Sequence, residues 1–124
     1  MDILIVNDYG ILVNNIQKLL NEIYTYNCYT FVAHGKKESI GMMNNNTNLI
    51  IADYSLPDSS GYDFVNYVRH RNNNIKDTPI ILISLDDNED KLKEVCNKYD
   101  NVEYLLKPLN IEDLKNALIS LNLL

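Results

Sequence analysis

Short apolar runs that each stop at a polar residue constrain the fold of this chain more than any other feature. Runs of this length that are rich in Ile, Leu and Val are typical of strands buried on both faces of a parallel sheet. The four clearest runs are Ile3–Val6, Leu49–Ala52, Ile80–Ile83 and Val102–Leu106. Amphipathic helical patterns separate them, so the sequence predicts an α/β fold, a parallel sheet covered by helices on both faces.

The other predicted elements complete five strands and five helices. The second strand, Cys28–Val32, is short and more polar, as expected of an edge strand. Helices are expected at Ile11–Ile23, Lys36–Met43 and Gly61–Arg71, after a cap at Asp86 or Asp87, and after a cap at Asn110. In the first of these the predicted apolar face consists of Ile11, Leu12, Ile16, Leu19, Leu20 and Ile23, and in the last it includes Ile119. This pattern does not fix the strand order, but a doubly wound order of 2-1-3-4-5 would bring the ends of strands one and three together.

The length and charge of the chain limit what it can be. Its 124 residues, 46% of them hydrophobic, predict one domain over residues 1–124. A net charge of −6 argues against direct nucleic-acid binding. No leader and no apolar run long enough to span a bilayer is apparent, so we expect a cytoplasmic protein with no membrane contact. Cys28 and Cys96 are expected to be free thiols.

Polar residues that follow four of the strands should meet at one edge of the sheet. Asp8 follows the first strand and Asp53 the third, while Ser84 and Lys107 follow the fourth and fifth. Two neighbouring carboxylates repel unless a cation lies between them, and oxygen ligands favour Mg²⁺ or Mn²⁺. A hydroxyl and an ammonium beside that ion can bind phosphoryl oxygens. The pattern therefore predicts phosphate transfer to Asp53 as a carboxylate nucleophile.

Four motifs in this order resemble the receiver domains of response regulators in bacterial two-component signalling, such as single-domain chemotaxis and sporulation regulators. The motifs are Ile3–Asp8, Asp53–Gly61, Pro79–Ser84 and Tyr104–Pro108. Each motif is weak alone, but the four together are highly specific, and the resemblance covers essentially the whole chain. The resemblance implies a flavodoxin-like sheet order of 2-1-3-4-5.

The resemblance also implies roles for the residues at the sheet edge. Asp53 would accept phosphate from a histidine kinase or a histidine phosphotransfer protein. Asp8, Asp53 and the backbone carbonyl of Ser55 would ligate Mg²⁺, with Asn7 touching the ion through water. Lys107 would contact the phosphoryl group, aimed by a cis Lys107–Pro108 bond. Such a domain is a phosphoacceptor that assists its own phosphorylation and dephosphorylation, not an enzyme.

A switch is implied as well. Ser84 would hydrogen-bond the phosphorylated form, and Tyr104 would turn inward when it does. Both changes would alter a surface formed by helix 4, strand 5 and helix 5. The implied partner of that surface is a downstream protein, an output domain or a second copy of the chain.

Two residues depart from the family pattern. Asn7 replaces the first residue of the usual acidic pair, which predicts weakened but retained Mg²⁺ binding. Leu85 replaces a small residue, and its bulk is expected to narrow the mouth above Asp53. Ser55 and Asp86 occupy positions that tune phosphate lifetime in the family. These departures keep one alternative open, a drifted receiver-like binding module that no longer cycles phosphate.

Two other functional classes fit less well. A phosphatase with an aspartyl-phosphate intermediate would need a second Asp two residues after the nucleophile, where this chain has Ser55. A nucleotide-binding protein would need a phosphate-cradling glycine-rich loop after the first strand. The residues there, Asn7–Gly10, match neither the G-x-G-x-x-G pattern nor the Walker pattern of such loops.

Overall fold

The computed structural model describes residues 1–124, and its centre is a five-stranded parallel sheet. The strands are β1 (Asp2–Val6), β2 (Tyr29–Ala33), β3 (Thr47–Asp53), β4 (Ile80–Ser84) and β5 (Val102–Leu106). Their spatial order is β2-β1-β3-β4-β5. The predicted α/β fold and flavodoxin-like strand order are therefore confirmed, with the second strand placed one residue later than Cys28–Val32.

Five helices cover the sheet. They are α1 (Gly10–Ile23), α2 (Lys36–Met42), α3 (Gly61–Arg69), α4 (Leu92–Lys98) and α5 (Ile111–Ser120). A short 3₁₀ helix, Asn74–Asp77, precedes β4, and a small antiparallel hairpin pairs Ser55–Leu56 with Ser59–Ser60. No helix combines the length and the apolar character that crossing a membrane would require.

The alternation of side chains along the strands divides the core into two layers. Ile3 and Ile5 of β1 pack with α1 and α5, whereas Leu4 and Val6 pack with the layer of α3 and α4. Both layers are fully apolar at the central strands, which explains why β1, β3 and β4 read as continuous hydrophobic runs.

The structure confirms the predicted helix cap at Asn110 and corrects the one at Asp86 or Asp87. The side chain of Ser60 accepts a hydrogen bond from the Asp63 amide at the start of α3, and Asn110 accepts one from the Asp113 amide at the start of α5. The prediction that Asp86 or Asp87 caps α4 was wrong. Asp86 accepts the Asn88 amide in a local turn instead. The helix begins only at Leu92, after Lys91 in the left-handed region at φ 63°.

The apolar face of α1 also differs from the predicted one. Ile11 is 61% exposed, while Val13, which the prediction omitted, is buried. Leu12, Ile16 and Leu20 are buried as expected. Ile119 of α5 is exposed, although it was assigned to the apolar face of that helix.

Candidate functional site

Asp53 is the last residue of β3 and lies 9% exposed at the carboxyl end of the sheet. The register brings its partners to it, because Ile51 stands beside Ile5 in β1 and Ile83 in β4 stands between Asp53 and Leu105 of β5. Two residues beyond Ile5 and Leu105 lie Asn7 and Lys107. The parallel sheet thus brings together side chains that are far apart in the sequence.

Three donors hold the Asp53 carboxylate. Lys107 Nζ lies 2.8 Å from Oδ2, and the Asn7 amide nitrogen lies 3.2 Å from the same oxygen. The backbone N–H of Ser55 donates to Oδ1 over 2.9 Å. Both oxygens are therefore oriented, and the Lys107 charge compensates that of the carboxylate in a site with limited solvent.

Asn7 is buried, and its orientation follows from its neighbours. Its side-chain oxygen accepts the backbone N–H of Tyr9 over 2.7 Å, so its NH₂ group must face Asp53. An aspartate at position 7 would instead place a second carboxylate oxygen against Asp53 and repel it. The amide thus acts as a donor within the site, and its predicted contact to a metal ion through water stays a prediction.

A cavity of about 340 Å³ opens in front of Asp53. Its lining consists of Asn7, Asp8, Tyr9, Asp53, Ser55, Leu56 and Pro57. Asp8 is exposed at its rim. Carboxylate and amide oxygens line the cavity, with no thiolate or imidazole among them, and this donor set fits Mg²⁺ or Mn²⁺.

The hydroxyl of Ser84 is engaged by a neighbouring backbone carbonyl, not by Asp53, in this structure. Ser84 is fully buried and donates to the backbone carbonyl of Asp86 over 2.7 Å. Tyr104 is half-buried on β5 beside Leu82, on the face of the sheet that packs with α3 and α4. Ser84 lies on that same face, because it follows Leu82 by two residues. The two predicted switch residues therefore share one layer of the core.

Leu85 does not line the cavity around Asp53. It is 70% exposed and borders a neighbouring groove of about 380 Å³ with Tyr9, Ile11 and Lys107. Leu85 therefore contributes nothing to the lining of this cavity, and its predicted effect on access to Asp53 stays a prediction. Asp86 is also exposed, and it is its backbone carbonyl that holds Ser84.

Tyr54 is a residue at this site that the sequence reasoning missed. It is buried, and its hydroxyl donates to the backbone carbonyl of Asp90 in the loop between β4 and α4. Burial, together with the nearby negative charges of Glu89 and Asp90, raises the pKa of Tyr54 to about 12. Its ring lies against Gly61, where an added Cβ would come within 2.9 Å of a ring carbon. No signal in the sequence marked this contact.

Asp58 is a second missed residue. Its carboxylate accepts the backbone N–H groups of Lys36 and Lys37, at 2.8 and 3.0 Å, and so caps α2 from the loop after Asp53. These hydrogen bonds lower the pKa of Asp58. Gly35 at the start of α2 offers no side-chain cap, so no local residue takes this role.

The fold and the site define the general class of this protein. It is a doubly wound α/β protein whose candidate site, an aspartate paired with a lysine, lies at the carboxyl edge of the sheet. Comparison with known families is more specific, because the family described as "Response regulator receiver domain" matches residues 3–119. The chain belongs to this receiver-domain family. The predicted resemblance is thereby confirmed, and receiver domains are signalling switches rather than conventional enzymes.

Individual relatives agree with this assignment. The two-component response regulator ARR7 of Arabidopsis thaliana is 31% identical over 81 residues, which cover 65% of this chain and 38% of that protein. ORR12 of Oryza sativa subsp. japonica is 31% identical over 71 residues, 57% of each. The chain thus matches less than two thirds of the length of either relative.

Solved structures agree at the level of the fold. A CheY-like receiver domain from Methylobacillus flagellatus superimposes with a TM-score of 0.80 at 26% identity, covering 98% of both chains. Chemotaxis response regulator CheY4 of Vibrio cholerae gives 0.79 at 23% identity over 97% of both chains.

Proposed function

We propose that this chain is a phosphoacceptor switch in which Asp53 receives a phosphoryl group from the histidine of a kinase or of a phosphotransfer protein. The observation that carries the proposal is the Asp53 carboxylate, held by Lys107 at 2.8 Å and facing an open cavity. A carboxylate that is oriented, paired with a cation and open on one side has the features of a nucleophile for phosphoryl transfer.

The proposed step is an in-line displacement. An Asp53 oxygen forms a bond to phosphorus as the bond from phosphorus to the donor imidazole nitrogen breaks, and that nitrogen keeps the electron pair. The Lys107 ammonium stabilises the negative charge on the transferring oxygens. Asn7 and the Ser55 amide keep the carboxylate oriented during the transfer.

Asp8, Asp53 and the Ser55 backbone carbonyl are the proposed ligands of Mg²⁺ or Mn²⁺, with Asn7 contributing through water. Such an ion supplies further positive charge to the phosphoryl oxygens when bound. Because Asn7 contributes no charge, only Asp8 and Asp53 attract the ion with full charges. We therefore expect a lower affinity than a site with three carboxylates would have.

The proposed switch begins at Ser84. Its hydroxyl must leave the Asp86 carbonyl in order to donate to a phosphoryl oxygen on Asp53. This movement would draw the loop between β4 and α4 toward the site and give Tyr104 room to turn inward on the same face of the sheet. The altered surface of α4, β5 and α5 would then bind a downstream protein, an output domain or a second copy.

The test uses a small phosphodonor. The chain is incubated with Mg²⁺ and acetyl phosphate, and its intact mass is compared with those of Asp53→Asn and of Asp77→Asn, an exposed aspartate on the 3₁₀ helix. We expect one Mg²⁺-dependent phosphoryl adduct in the wild type and in Asp77→Asn, and none in Asp53→Asn. An adduct that persists in Asp53→Asn would contradict the proposed acceptor.

The drifted binding module is the alternative outcome. It is supported by the absence of any adduct with acetyl phosphate, with a beryllofluoride mimic and with a histidine kinase. Asn7 and Leu85 favour it, because they depart from the family pattern, whereas the intact Asp8, Asp53, Ser84 and Lys107 oppose it. In that case Asn7→Asp and Leu85→Ala are the first reversions to test for recovery of the adduct.

A further inference from the structure

The outer edge of the sheet at β2 has unpaired backbone groups. The Tyr29 amide donates to Met1, and the Ala33 carbonyl accepts from Asn7, so these residues face β1. Strand groups alternate in direction, and the N–H and C=O groups of Thr30 and Val32 therefore point away from the sheet. No other strand pairs with β2 on that side.

This edge lacks the usual protection against pairing. Natural sheets guard their edges with charged residues, proline or bulges. Residues 23–33 contain no Asp, Glu, Lys, Arg, His or Pro. The opposite edge differs, because β5 carries Glu103 within the strand and Asp100 and Lys107 beside it.

Exposed aromatic side chains add to the unprotected edge. Phe31 is 48% exposed, Tyr29 is 58% exposed on the same face of β2, and Tyr26 just before the strand is 85% exposed. Aromatic pairs directly opposite each other stabilise antiparallel strands. The edge therefore offers both hydrogen-bonding groups and apolar surface.

We propose that β2 pairs with β2 of a second copy of this chain, antiparallel about a two-fold axis at Phe31. The outward N–H and C=O groups of Thr30 in one copy then bond the C=O and N–H groups of Val32 in the other copy. The two-fold axis repeats this pair of hydrogen bonds on the other side of Phe31. Phe31 faces its own equivalent at a non-hydrogen-bonded position, where side chains come closest. The two sheets become one continuous sheet, and the interface is isologous.

Charge favours a second copy as the occupant. Each copy carries a net charge of −6, so two copies can approach closely only where their surfaces are uncharged. The β2 edge meets this condition. The neighbouring face of α1 does too, since Gln17 hydrogen-bonds Thr30 and Asn14 and Asn21 lie one turn to either side of it. Two copies of β2 also have the same length and the same spacing of outward groups, so they pair in register. An unrelated strand would not have this match built in.

This association goes beyond the proposed phosphoacceptor function and does not depend on it. The strands β1, β3 and β4 separate β2 from β5, so the dimer leaves the α4, β5 and α5 surface free. Asp53 lies at the carboxyl end of the sheet rather than on its β2 side. We therefore expect the Asp53→Asn variant to associate like the wild type.

Sedimentation velocity from micromolar to millimolar protein measures the dissociation constant of the dimer. The variants place a charge at Phe31, the residue on the proposed two-fold axis. Phe31→Lys and Phe31→Glu each place like charges opposite one another, and each is expected to raise the dissociation constant by about 100-fold or more. An equal mixture of the two variants should restore the dimer. Leu85→Lys, which changes an exposed apolar residue elsewhere, should associate like the wild type.

Circular dichroism and urea unfolding establish that each variant is folded. A wild type that stays monomeric to millimolar concentration would overturn the proposal. A dimer that resists Phe31→Lys and is lost in Leu106→Lys would assign the interface to β5 instead. Failure of the mixture to dimerise would rule out the register with Phe31 on the axis.

Discussion

One cationic side chain lies at each end of the sheet. The one at the carboxyl end binds a side-chain carboxylate, and the one at the amino end binds backbone carbonyls. At the carboxyl end Lys107 pairs with one side chain, Asp53, beside an open cavity. At the amino end the Arg69 guanidinium donates to four backbone carbonyls. The acceptors are the carbonyls of Lys76, Thr78, Asp100 and Asn101, in the segments that lead into β4 and β5.

We expect the cation at the amino end to stabilise the fold and the cation at the carboxyl end to serve the proposed chemistry. Arg69 fixes backbone segments and is largely buried, which lowers the pKa of its guanidinium while leaving it charged. Lys107 holds a carboxylate whose partners would change in the proposed phosphorylated form. Substitutions at the amino end should therefore reduce stability, while substitutions at the carboxyl end should mainly reduce phosphoryl transfer.

Lys107→Met should produce the largest effect. Loss of a positioned cation from the transferring oxygens is expected to slow phosphorylation by acetyl phosphate by about 10²–10³-fold. The free energy of unfolding should fall by about 1–2 kcal/mol, because the buried Asp53 carboxylate loses its charged partner but keeps two hydrogen bonds and an open cavity in front of it. Stopped phosphorylation reactions followed by intact mass, together with urea unfolding, measure both quantities. A large loss of stability with a normal rate would reverse the comparison.

Arg69→Met should produce the opposite pattern. It leaves four carbonyls without their charged donor, and we expect a loss of about 2–4 kcal/mol in the free energy of unfolding. The folded fraction should still be phosphorylated at the wild-type rate. Arg71→Met is the matched control, since Arg71 bonds only the Tyr67 hydroxyl, and it should cost about 1 kcal/mol or less. Equal losses in the two variants would show that the carbonyl contacts contribute little.

Asn7→Asp should change the carboxyl end in two opposing ways. Without a metal ion, a second carboxylate beside Asp53 is expected to reduce the free energy of unfolding by about 1–2 kcal/mol. With Mg²⁺ the variant should regain stability and bind the ion more tightly than the wild type. Thermal unfolding at several Mg²⁺ concentrations measures both effects. An unchanged Mg²⁺ affinity would refute the proposed role of position 7.

Tyr54→Phe should have the smallest effect, about 1 kcal/mol, through loss of the hydrogen bond to Asp90. It also carries a pH dependence. Because the fold raises the pKa of Tyr54 to about 12 from 10, its contribution to stability is complete below pH 10 and is lost as the pH rises toward 12. Tyr54→Phe should lack this loss, and its tyrosinate absorbance should lack the last titrating group. Tyr26→Phe, at an exposed tyrosine, should behave like the wild type.

The sequence was most informative where one force dominates. Apolar runs set the strands and their ends set the place of Asp53 and Lys107, because burial on both faces leaves little choice. The predicted start of α4 was wrong because Asp86 and Asp87 also favour turns. Asp86 accepts the Asn88 amide in such a turn instead of capping the helix. Local pattern does not encode a remote contact such as the capping of α2 by Asp58, which depends on the finished fold.

The site shows the same division. Residues brought together by strand register were predictable, whereas side-chain direction was not. Ser84 turns to the Asp86 carbonyl and Leu85 turns to α1, and both choices depend on the path of the loop between β4 and α4. That path is held in part by the Tyr54 hydroxyl, at a position that no sequence pattern singled out.

The packing of Tyr54 on Gly61 also limits how this sequence can evolve. Any side chain at position 61 would collide with the ring while Tyr54 is present. A smaller residue at position 54 would remove the ring and leave one tight contact, 3.1 Å to the Cα of residue 54. Substitutions at the two positions should therefore be conditional on order: a change at 61 is tolerated only after a change at 54. The residue next to Asp53 thus constrains the order in which substitutions at the start of α3 can be accepted.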